Sequence, residues 1–300
     1  MSKQHILLAG GTGLVGSRMV QLLREKFDIT ILTRGDLREA DGIKYLSWKD
    51  LSRSGIDPDI VINLAGAGIA DKRWTNVRKK ELIDSRVKTN ELLADYFNAN
   101  NSKPKLFIGA SAVGYYGDRG EEPLTEESQA GSGFLAECSI LWEKSSMLFD
   151  NIAERMAIVR IGIVLSTKDG ALPKMLMTKA LKTYNYFGDG SQYYSWIHID
   201  DLVGIFEYII NNETLSGIFN GVTPEPITNK EMTRKIANAV SGTALVISAP
   251  SMALRLVLGE MADVILNSTR VYPKNVSAAG FDFKYANIGT AVLDLIHANI

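Results

Sequence analysis

A serine and two adjacent tyrosines lie together in the segment SAVGYYG, residues 111–117. A hydroxyl group can position a substrate oxygen, and a phenol can transfer a proton. The apolar run KLFIGAS at 105–111 has the composition of a buried strand. We therefore predict Ser111 and Tyr116 as catalytic residues at a strand end, with Tyr115 beside the substrate. The alternative for the tyrosines is packing at the strand end, and for the serine a hydrogen bond that satisfies its own strand end.

A second source of protons is the segment SQYYSWIHIDD, residues 191–201. The imidazole of His198 has an ordinary pKa near neutrality, which suits acid–base chemistry. Tyr193 and Tyr194 carry phenols that could take this role instead. We predict His198 as catalytic, while a hydrogen-bonded histidine in the protein core is the competing interpretation.

A glycine-rich loop follows the first apolar run, in ILLAGGTGLVGSRMVQLL at 6–23. Its G-x-x-G-x-x-G spacing lets the chain turn tightly, approach a pyrophosphate and begin a helix whose free N–H groups face the phosphates. The motif is weak alone, but its place between a strand and a helix strengthens it. The residues predicted to bind the cofactor here are Gly10, Gly11, Thr12, Gly13, Leu14, Val15 and Gly16.

The end of the second predicted strand, ILTRGD, indicates which dinucleotide is bound. An acidic residue at this place would bind the ribose hydroxyl of NAD, whereas an arginine can pair with the 2′-phosphate of NADP. Thr33 and Arg34 stand at the strand end, and Asp36 follows later in the loop. We therefore predict NADP(H) as the cofactor, bound by Thr33 and Arg34, with a solvated surface arginine as the alternative.

Two arginines and a tryptophan follow the apolar run IVINLAG at 60–66. Ligands of open α/β sheets bind at the carboxyl ends of the strands, where this run ends. We predict Arg73, Trp74 and Arg86 as substrate residues, with the arginines holding an anionic substrate or the cofactor diphosphate. A surface salt bridge is the alternative for each arginine.

The elements that must position these residues alternate along the first half of the chain. The predicted strands are HILLA (5–9), DITILT (28–33), IVINLAG (60–66), KLFIGAS (105–111) and AIVRIGIVL (157–165), and the predicted helices lie near 14–26, 75–98 and 134–149. Continuous apolar runs are typical of parallel strands that are covered on both faces. The alternation predicts an α/β fold, a doubly wound parallel Rossmann sheet.

Shorter elements with frequent glycine and proline follow residue 165. They predict a smaller C-terminal substrate lobe at 166–300 on a Rossmann domain at 1–165, with 196–222 packing back onto the first domain. The apolar stretch SMALRLVLGEMADVIL at 251–266 is interrupted by charged residues, so it predicts an amphipathic helix and no membrane span.

The composition of the 300 residues argues against several classes of function. A net charge of −1 gives no broad field that would favour nucleic acid or an anionic membrane as a partner. Cys138 is the one cysteine and the three histidines are scattered, so no disulfide and no metal site is predicted. The N-terminus runs straight into a strand without a signal peptide, which favours a cytoplasmic location.

Several of these motifs together resemble the extended short-chain dehydrogenase/reductase superfamily. They are GGTGLVG, NLAG at 63–66, SAVGYYGD at 111–118 and WIHIDD at 196–201. The segments GFLAE and AAGFDFKY are similar to one epimerase-like branch, the relatives of human epimerase family member 39U. The resemblance implies that Leu64, Ala65 and Gly66 line the cofactor beyond its adenine ribose, and that Ser111 stands at the position of the catalytic serine.

The same resemblance exposes a departure on the helix after the serine strand. The superfamily carries Tyr-x-x-x-Lys there, and the lysine lowers the tyrosine pKa. This chain reads GFLAECSILWEK, with Phe134 at the expected tyrosine and Cys138 at the expected lysine. The nearest lysine, Lys144, would lie about 15 Å further along the helix axis. The usual proton donor and its cation are therefore absent from this helix.

Two functions are compatible with these features. The first is an NADP(H)-dependent oxidoreductase or epimerase-like enzyme that acts on a small hydroxyl- or carbonyl-bearing substrate, for which the resemblance suggests a nucleotide sugar. The second is a regulatory protein that senses NADP(H) without catalysis, because Phe134 and Cys138 replace the usual pair. The resemblance also implies a homodimer.

Overall fold

The computed structural model describes residues 3–35 and 43–297. Its strands in chain order are β1 (His5–Ala9), β2 (Asp28–Thr33), β3 (Lys44–Ser47), β4 (Ile60–Asn63), β5 (Leu106–Ala112), β6 (Pro123–Leu124), β7 (Met156–Ile161), β8 (Ile163–Leu165), β9 (Thr183–Phe187), β10 (Tyr193–Tyr194), β11 (Trp196–His198), β12 (Gly217–Gly221), β13 (Ile227–Thr228), β14 (Leu245–Ala249) and β15 (Arg270–Val271).

The helices follow the periodic segments of the sequence. They are α1 (Leu14–Leu23), α2 (Asn76–Ala99), α3 (Phe134–Ser146), α4 (Ala171–Met175), α5 (Ile199–Asn211), α6 (Asn229–Ser241), α7 (Ser251–Leu258), α8 (Asp263–Leu266), α9 (Lys274–Ala278) and α10 (Ile288–His297). Within the described part of the chain, no helix combines the length and the apolar character that a membrane crossing would need.

A parallel sheet of seven strands forms the centre of the molecule, in the order β12-β7-β5-β4-β1-β2-β3. Successive side chains of a strand point to opposite faces, so both faces of β1 are apolar. Ile6 and Leu8 pack in one core with α1 and α5, whereas Leu7 and Ala9 pack in another with α2. The predicted doubly wound α/β fold is therefore confirmed.

The parallel arrangement brings every predicted cofactor motif to one edge of the sheet. The register pairs Ala9 with Leu32 on one side and with Asn63 on the other, so the loops after β1, β2 and β4 leave the sheet side by side. β5 and β7 end beside them, where Ala112 pairs with Ile161. This carboxyl edge is the place where open α/β sheets bind ligands.

One predicted strand is wrong in the structure: AIVRIGIVL at 157–165 forms two strands. The backbone N–H of Gly162 donates to the carbonyl oxygen of Gly221, and a Cβ atom at residue 162 would lie 2.5 Å from the carbonyl oxygen of Ser195. The chain bends at this close approach, and β8 leaves the central sheet to pair with β11. The bend directs the chain into the second layer of elements that covers the carboxyl edge.

The residues after 165 build a further core and return to the sheet. Trp196, Met232 and Val292 belong to a separate apolar cluster formed by α6, α10 and their neighbours, while β12 is an edge strand of the central sheet. The predicted single helix at 251–266 is wrong, because Gly259 adopts a φ of +61° and separates α7 from α8. The division of the chain into domains at residue 165 stays a prediction.

Candidate active site

In the glycine loop between β1 and α1, the protein's own packing requires Gly16 but does not require Gly13. A Cβ atom on Gly16 would lie 2.3 Å from the carbonyl oxygen of Gly10, which real contacts do not allow. A Cβ atom on Gly13 would meet only that same oxygen, at 3.4 Å, and Gly13 is exposed. The space in front of Gly13 is thus free for a ligand, which fits the close approach of a pyrophosphate.

The helix that begins after this loop leaves its first N–H groups available. Gly13 caps α1 without a side chain, and no acidic residue stands in the first turn. The positive end of the helix dipole therefore faces the space beside the loop. The fit of the loop to a dinucleotide rests on these two features together.

The loop after β4 is held by one face of α2. The backbone N–H of Ala67 donates to Ser85 Oγ at 2.9 Å, and Arg86 Nη2 donates to the carbonyl oxygen of Ala67 at 3.0 Å. Arg78 precedes Arg86 on the same helix, and its Nη2 donates to the carbonyl oxygen of Gly68 at 2.6 Å. These contacts keep the segment Leu64, Ala65 and Gly66 beside the glycine loop, where the resemblance placed it along the cofactor.

Arg34 is an exposed cation at the end of β2. Across residues 3–35 and 43–297 it has no salt bridge, whereas Arg18 on α1 is fully engaged by Asp200 at 2.6 and 2.8 Å. Thr33 Oγ1 accepts the N–H of Gly35 and shapes the turn. Asp36 lies outside the described residues. The arginine at this edge is therefore available to a ligand anion.

A cavity of about 190 Å³ opens where β5 and β7 end, between α3 and the C-terminal segment 263–269. We call this space the cavity. Its walls are Ile69, Arg86, Ala112, Val113, Gly114, Gly117, Leu135, Cys138, Ser139, Trp142, Ile161, Gly162, Ile163, Tyr194, Asp263, Val264, Asn267 and Thr269. A larger hollow of about 700 Å³ lies at the opposite edge of the sheet, near Lys3 and Lys44. No predicted motif reaches that hollow, and the carboxyl edge is where ligands of such sheets bind.

Most polar groups of the cavity wall already have partners in the protein. Ser139 Oγ donates to the carbonyl oxygen of Leu135, and Tyr194 donates its phenol proton to the carbonyl oxygen of Ile265 at 2.6 Å. Burial raises the pKa of Tyr194 and of the Cys138 thiol, so both stay protonated near neutral pH. The wall therefore offers neutral proton carriers.

Arg86 is different, because its hydrogen bonds go only to backbone carbonyl oxygens. Its guanidinium donates to those of Leu82 and Ala67 and lies 4.8 Å from the ring of Trp142. In the described part of the chain, no carboxylate forms a salt bridge with it, and burial lowers its pKa. A partly buried cation without a counter-ion is an unfavourable arrangement that a bound anion would relieve.

The alignment of Phe134 and Cys138 with the Tyr-x-x-x-Lys pair stays a prediction. Phe134 faces away from the cavity, packs edge-on against Trp74 at 4.8 Å and lies under the ammonium of Lys79. The residues of α3 that line the cavity are Leu135, Cys138, Ser139 and Trp142. None of these side chains is a phenol or a cation, so the Tyr-x-x-x-Lys pair is absent from this face of α3.

Ser111 and Tyr116 belong to a buried polar cluster behind the cavity wall. Ser111 is 1% exposed and its hydroxyl donates to Glu143 Oε1 at 2.6 Å. Arg160 binds both oxygens of Glu143 at 2.8 Å and donates to the oxygen of Tyr116, which in turn donates to Asn220 Oδ1 at 2.8 Å. We call these five residues the polar cluster. Strand alternation turns Ala112, not Ser111, towards the cavity.

Three predicted substrate residues also lie away from the cavity. Tyr115 stacks under the Arg160 guanidinium at 3.5 Å. Arg73 is exposed and approaches Gly259, and Trp74 is buried with its indole N–H donated to the carbonyl oxygen of Ile69. Of the four residues predicted for the substrate, Arg86 is the one that lines the cavity. Whether the other three act on a substrate stays a prediction that this geometry does not favour.

His198 lies in a different environment from Ser111 and Tyr116. It is 1% exposed, its Nδ1 accepts the N–H of Asp200 at the start of α5, and its ring stacks on Tyr285 at 3.9 Å. Burial lowers its pKa, and Nε2 lies 3.4 Å from Asp294. The structure does not bring the three predicted catalytic residues together. Among residues 3–35 and 43–297, no group of acidic, histidine and cysteine side chains could hold a metal ion.

The residues that sequence reasoning missed come from the C-terminal segment and from the inner face of α3. Asp263, Asn267 and Thr269 line the cavity although their segment carries no motif. Leu135 and Ser139 could have been found from the stripe of α3 alone, because Trp142 lies on the same face. Arg78 could not, since its contact with Gly68 depends on how the loop folds back onto α2.

Two family models match parts of the chain, and two bacterial relatives are similar to it over nearly its whole length. Residues 6–139 match the NAD dependent epimerase/dehydratase family, and residues 249–295 match a domain of unknown function, DUF1731. An epimerase family protein of Staphylococcus aureus is 38% identical over 303 residues, covering 98% of this chain and 99% of that one. A second, from Staphylococcus saprophyticus, is 37% identical over 299 residues, covering 98% and 100%.

A solved structure is also similar over nearly the whole chain. The human epimerase family protein SDR39U1 (isoform 2), crystallised with NADPH, superimposes with a TM-score of 0.90 at 29% identity, covering 98% of this chain and 99% of that chain. A UDP-N-acetylglucosamine 4-epimerase from Bacillus cereus, at 18% identity and a TM-score of 0.76, is similar in fold.

Proposed function

Since this chain belongs to the epimerase family of extended short-chain dehydrogenases/reductases, we propose that it is an NADP(H)-dependent enzyme that transforms a small hydroxyl- or carbonyl-bearing substrate in the cavity. The observation that carries the proposal is the place of the cavity. It lies on the carboxyl edge of the sheet, in line with Arg34, the glycine loop and the loop after β4.

The order of these groups along the edge suits an extended dinucleotide. β2, β1, β4 and β5 are neighbours, and strands lie about 4.8 Å apart. Arg34 would meet the 2′-phosphate, Gly13 and the start of α1 the pyrophosphate, and Leu64 to Gly66 the nicotinamide ribose. The nicotinamide end would then reach the cavity. The NADPH crystallised with the human relative supports the same cofactor for this chain.

Bound NADPH would supply a hydride at the cavity. The chain's own residues would hold the substrate and move a proton. Tyr194 is the phenol on the wall, and its raised pKa keeps it protonated. Arg86 would orient an anionic or carbonyl oxygen near it. Ser111, Tyr116 and His198 are not needed for this arrangement.

The cofactor assignment is tested by calorimetric titration with NADPH and NADH. Arg34→Ala removes the cation that would meet the 2′-phosphate, so NADPH binding should weaken about 10- to 100-fold, the value of charge-assisted hydrogen bonds. NADH binding should stay unchanged. Arg53→Ala, an exposed arginine elsewhere on the first domain, is the matched control. Equal loss for both cofactors, or none for NADPH, would contradict the assignment.

The enzyme assignment is tested by NADPH oxidation with a panel of small carbonyl compounds. Tyr194→Phe should reduce turnover about 10²- to 10⁴-fold, the range of a lost general acid, and leave the NADPH dissociation constant unchanged. If NADPH binds tightly and no panel compound is reduced, the sensor without catalysis becomes the better description. Normal turnover in Tyr194→Phe would instead mean that another group supplies the proton.

A further inference from the structure

The cavity has one cationic group on its wall, as far as the described residues show. That group is Arg86, held by two backbone carbonyls over Trp142 and without a carboxylate partner. A guanidinium binds a carboxylate through two parallel hydrogen bonds, and it does so best where water is excluded. The geometry therefore offers one anion site and no more.

The remaining walls are mainly apolar. Val113, Leu135, Trp142, Ile161, Ile163 and Val264 surround the space, and its volume is about 190 Å³. Sites for drug-sized ligands measure about 300–1,000 Å³. Because the nicotinamide ring must also enter this space under the proposed function, only a small molecule fits beside it.

The cleft next to the cavity, which shares the segment 263–269 with it, is unsuited to a nucleoside diphosphate. Three carboxylates line it, those of Asp118, Glu121 and Asp189. Its arginine, Arg255, is paired with Asp263 at 3.0 Å. Hydrogen bonds from Ser191 lower the pKa of Asp189 and keep it ionised. A diphosphate extending from the cavity would meet these three carboxylates, and among the described residues that line the cleft the one cation, Arg255, is already paired.

We propose that the substrate is a small, largely apolar carbonyl compound or alcohol with one carboxylate group, which Arg86 binds, and that it is not a nucleotide sugar. The inference rests on the proposed function for the place of the nicotinamide. It differs from what the family name suggests, because the cavity has a single cation, apolar walls and an acidic neighbour. Trp142 would pack against the apolar body while the carboxylate meets the guanidinium above the ring.

The test measures the binding of three probes to the NADPH-loaded protein by calorimetry. Benzoate carries the carboxylate, benzamide has the same shape without charge, and UDP carries the diphosphate. Benzoate should bind at least about tenfold more tightly than benzamide, and UDP should not bind. Arg86→Gln should remove the preference for benzoate and keep the binding of benzamide. Lys88→Gln, an exposed neighbour on α2 that pairs with Asp84, should bind all three like the natural chain.

Several outcomes would overturn the proposal. They are equal or absent binding of benzoate and benzamide, binding of UDP in preference to benzoate, or a preference for benzoate that survives in Arg86→Gln. If that variant does not fold, Arg86→Lys, which keeps the charge and loses the fork, should reduce the preference, and an unchanged preference would overturn the idea. NADPH binding is measured first without probes. Its failure in the natural chain would contradict the proposed function, whereas normal NADPH binding without benzoate binding contradicts this inference alone.

Discussion

The polar cluster and the cavity both lie beside the ends of β5 and β7 and share α3, but their charged groups are paired differently. In the cluster, Arg160 and Glu143 are both buried, and each oxygen of the carboxylate is bound. In the cavity, as far as the described residues show, Arg86 forms no salt bridge with a carboxylate, and Trp142 Nε1 has no hydrogen-bond partner. Ser111 and Tyr116, in contrast, make their hydrogen bonds within the cluster.

The difference shows what each region does for the protein. Ser111 comes from β5, Arg160 from β7, Asn220 from β12 and Glu143 from α3, so the cluster fastens three strands and a helix. Buried polar groups are stable only when all their hydrogen bonds are made. An unpaired cation at a cavity is instead the arrangement that a ligand completes. We therefore expect the cluster to stabilise the fold and the cavity to bind a ligand.

The largest expected effect comes from breaking the ion pair of the cluster. Arg160→Met leaves the Glu143 carboxylate buried without its partner, so the free energy of unfolding should fall by about 3–5 kcal/mol. Urea denaturation measures it. Lys105→Ala, which breaks the exposed pair with Asp59 at 2.9 Å, should leave the urea midpoint nearly unchanged. Similar losses in both variants would mean that the cluster does not stabilise the fold as described.

Tyr116 should make the stability depend on alkaline pH. Burial raises the pKa of Tyr116 to about 12 in the folded protein, above its ordinary value near 10. The neutral phenol is therefore favoured on folding, and this stability is complete below pH 10 and is lost as the pH rises through about 12. The loss should be roughly 2–3 kcal/mol, at 1.36 kcal/mol per pKa unit.

The comparison that isolates this residue is Tyr116→Phe. Its free energy of unfolding, measured by urea titration at a series of pH values, should decline less than that of the natural chain between pH 10 and 12. Parallel curves for the two proteins would show that the phenol does not titrate as its burial requires.

Substitution of one serine in the cluster and of one on the cavity wall should have different effects on stability. Ser111→Ala removes a hydrogen bond to a charged carboxylate and should lower the free energy of unfolding by about 1.5–3 kcal/mol. Ser139→Ala, on the cavity wall, removes a hydrogen bond between neutral groups and should lower it by only about 0.5–1.5 kcal/mol. Neither change should alter the NADPH dissociation constant. If Ser111→Ala abolished turnover at unchanged stability, the cluster would be catalytic after all and the comparison would fail.

Two glycines of the loop between β1 and α1 should differ in whether their substitution affects cofactor binding or stability. Gly13→Ala meets no close neighbour and should change the free energy of unfolding by at most about 1 kcal/mol, yet NADPH binding should weaken by about tenfold or more. Gly16→Ala forces a Cβ atom against the carbonyl oxygen of Gly10 and should cost about 1–3 kcal/mol in stability. Unchanged NADPH binding in Gly13→Ala would remove the loop from the cofactor site.

The features that depend on neighbouring residues could be predicted from the amino-acid sequence. Apolar runs and helical stripes follow from neighbouring residues, so the alternation of strands and helices specified the doubly wound sheet. The glycine loop and Arg34 could be predicted in the same way. Each lies in a loop that follows a parallel strand, and ligands of open α/β sheets bind at such loops.

Contacts between distant parts of the chain determine which of the predicted catalytic residues reach the cavity. Ser111 is turned towards Glu143, which is 32 residues away, and Tyr116 bonds Asn220, which is 104 residues away. Such partners leave no trace in the local pattern. On α3, Leu135 lines the cavity and Phe134 does not, because neighbouring helical positions point about 100° apart. The isolation of Arg86 is likewise a property of the folded chain, since it depends on where every carboxylate lies.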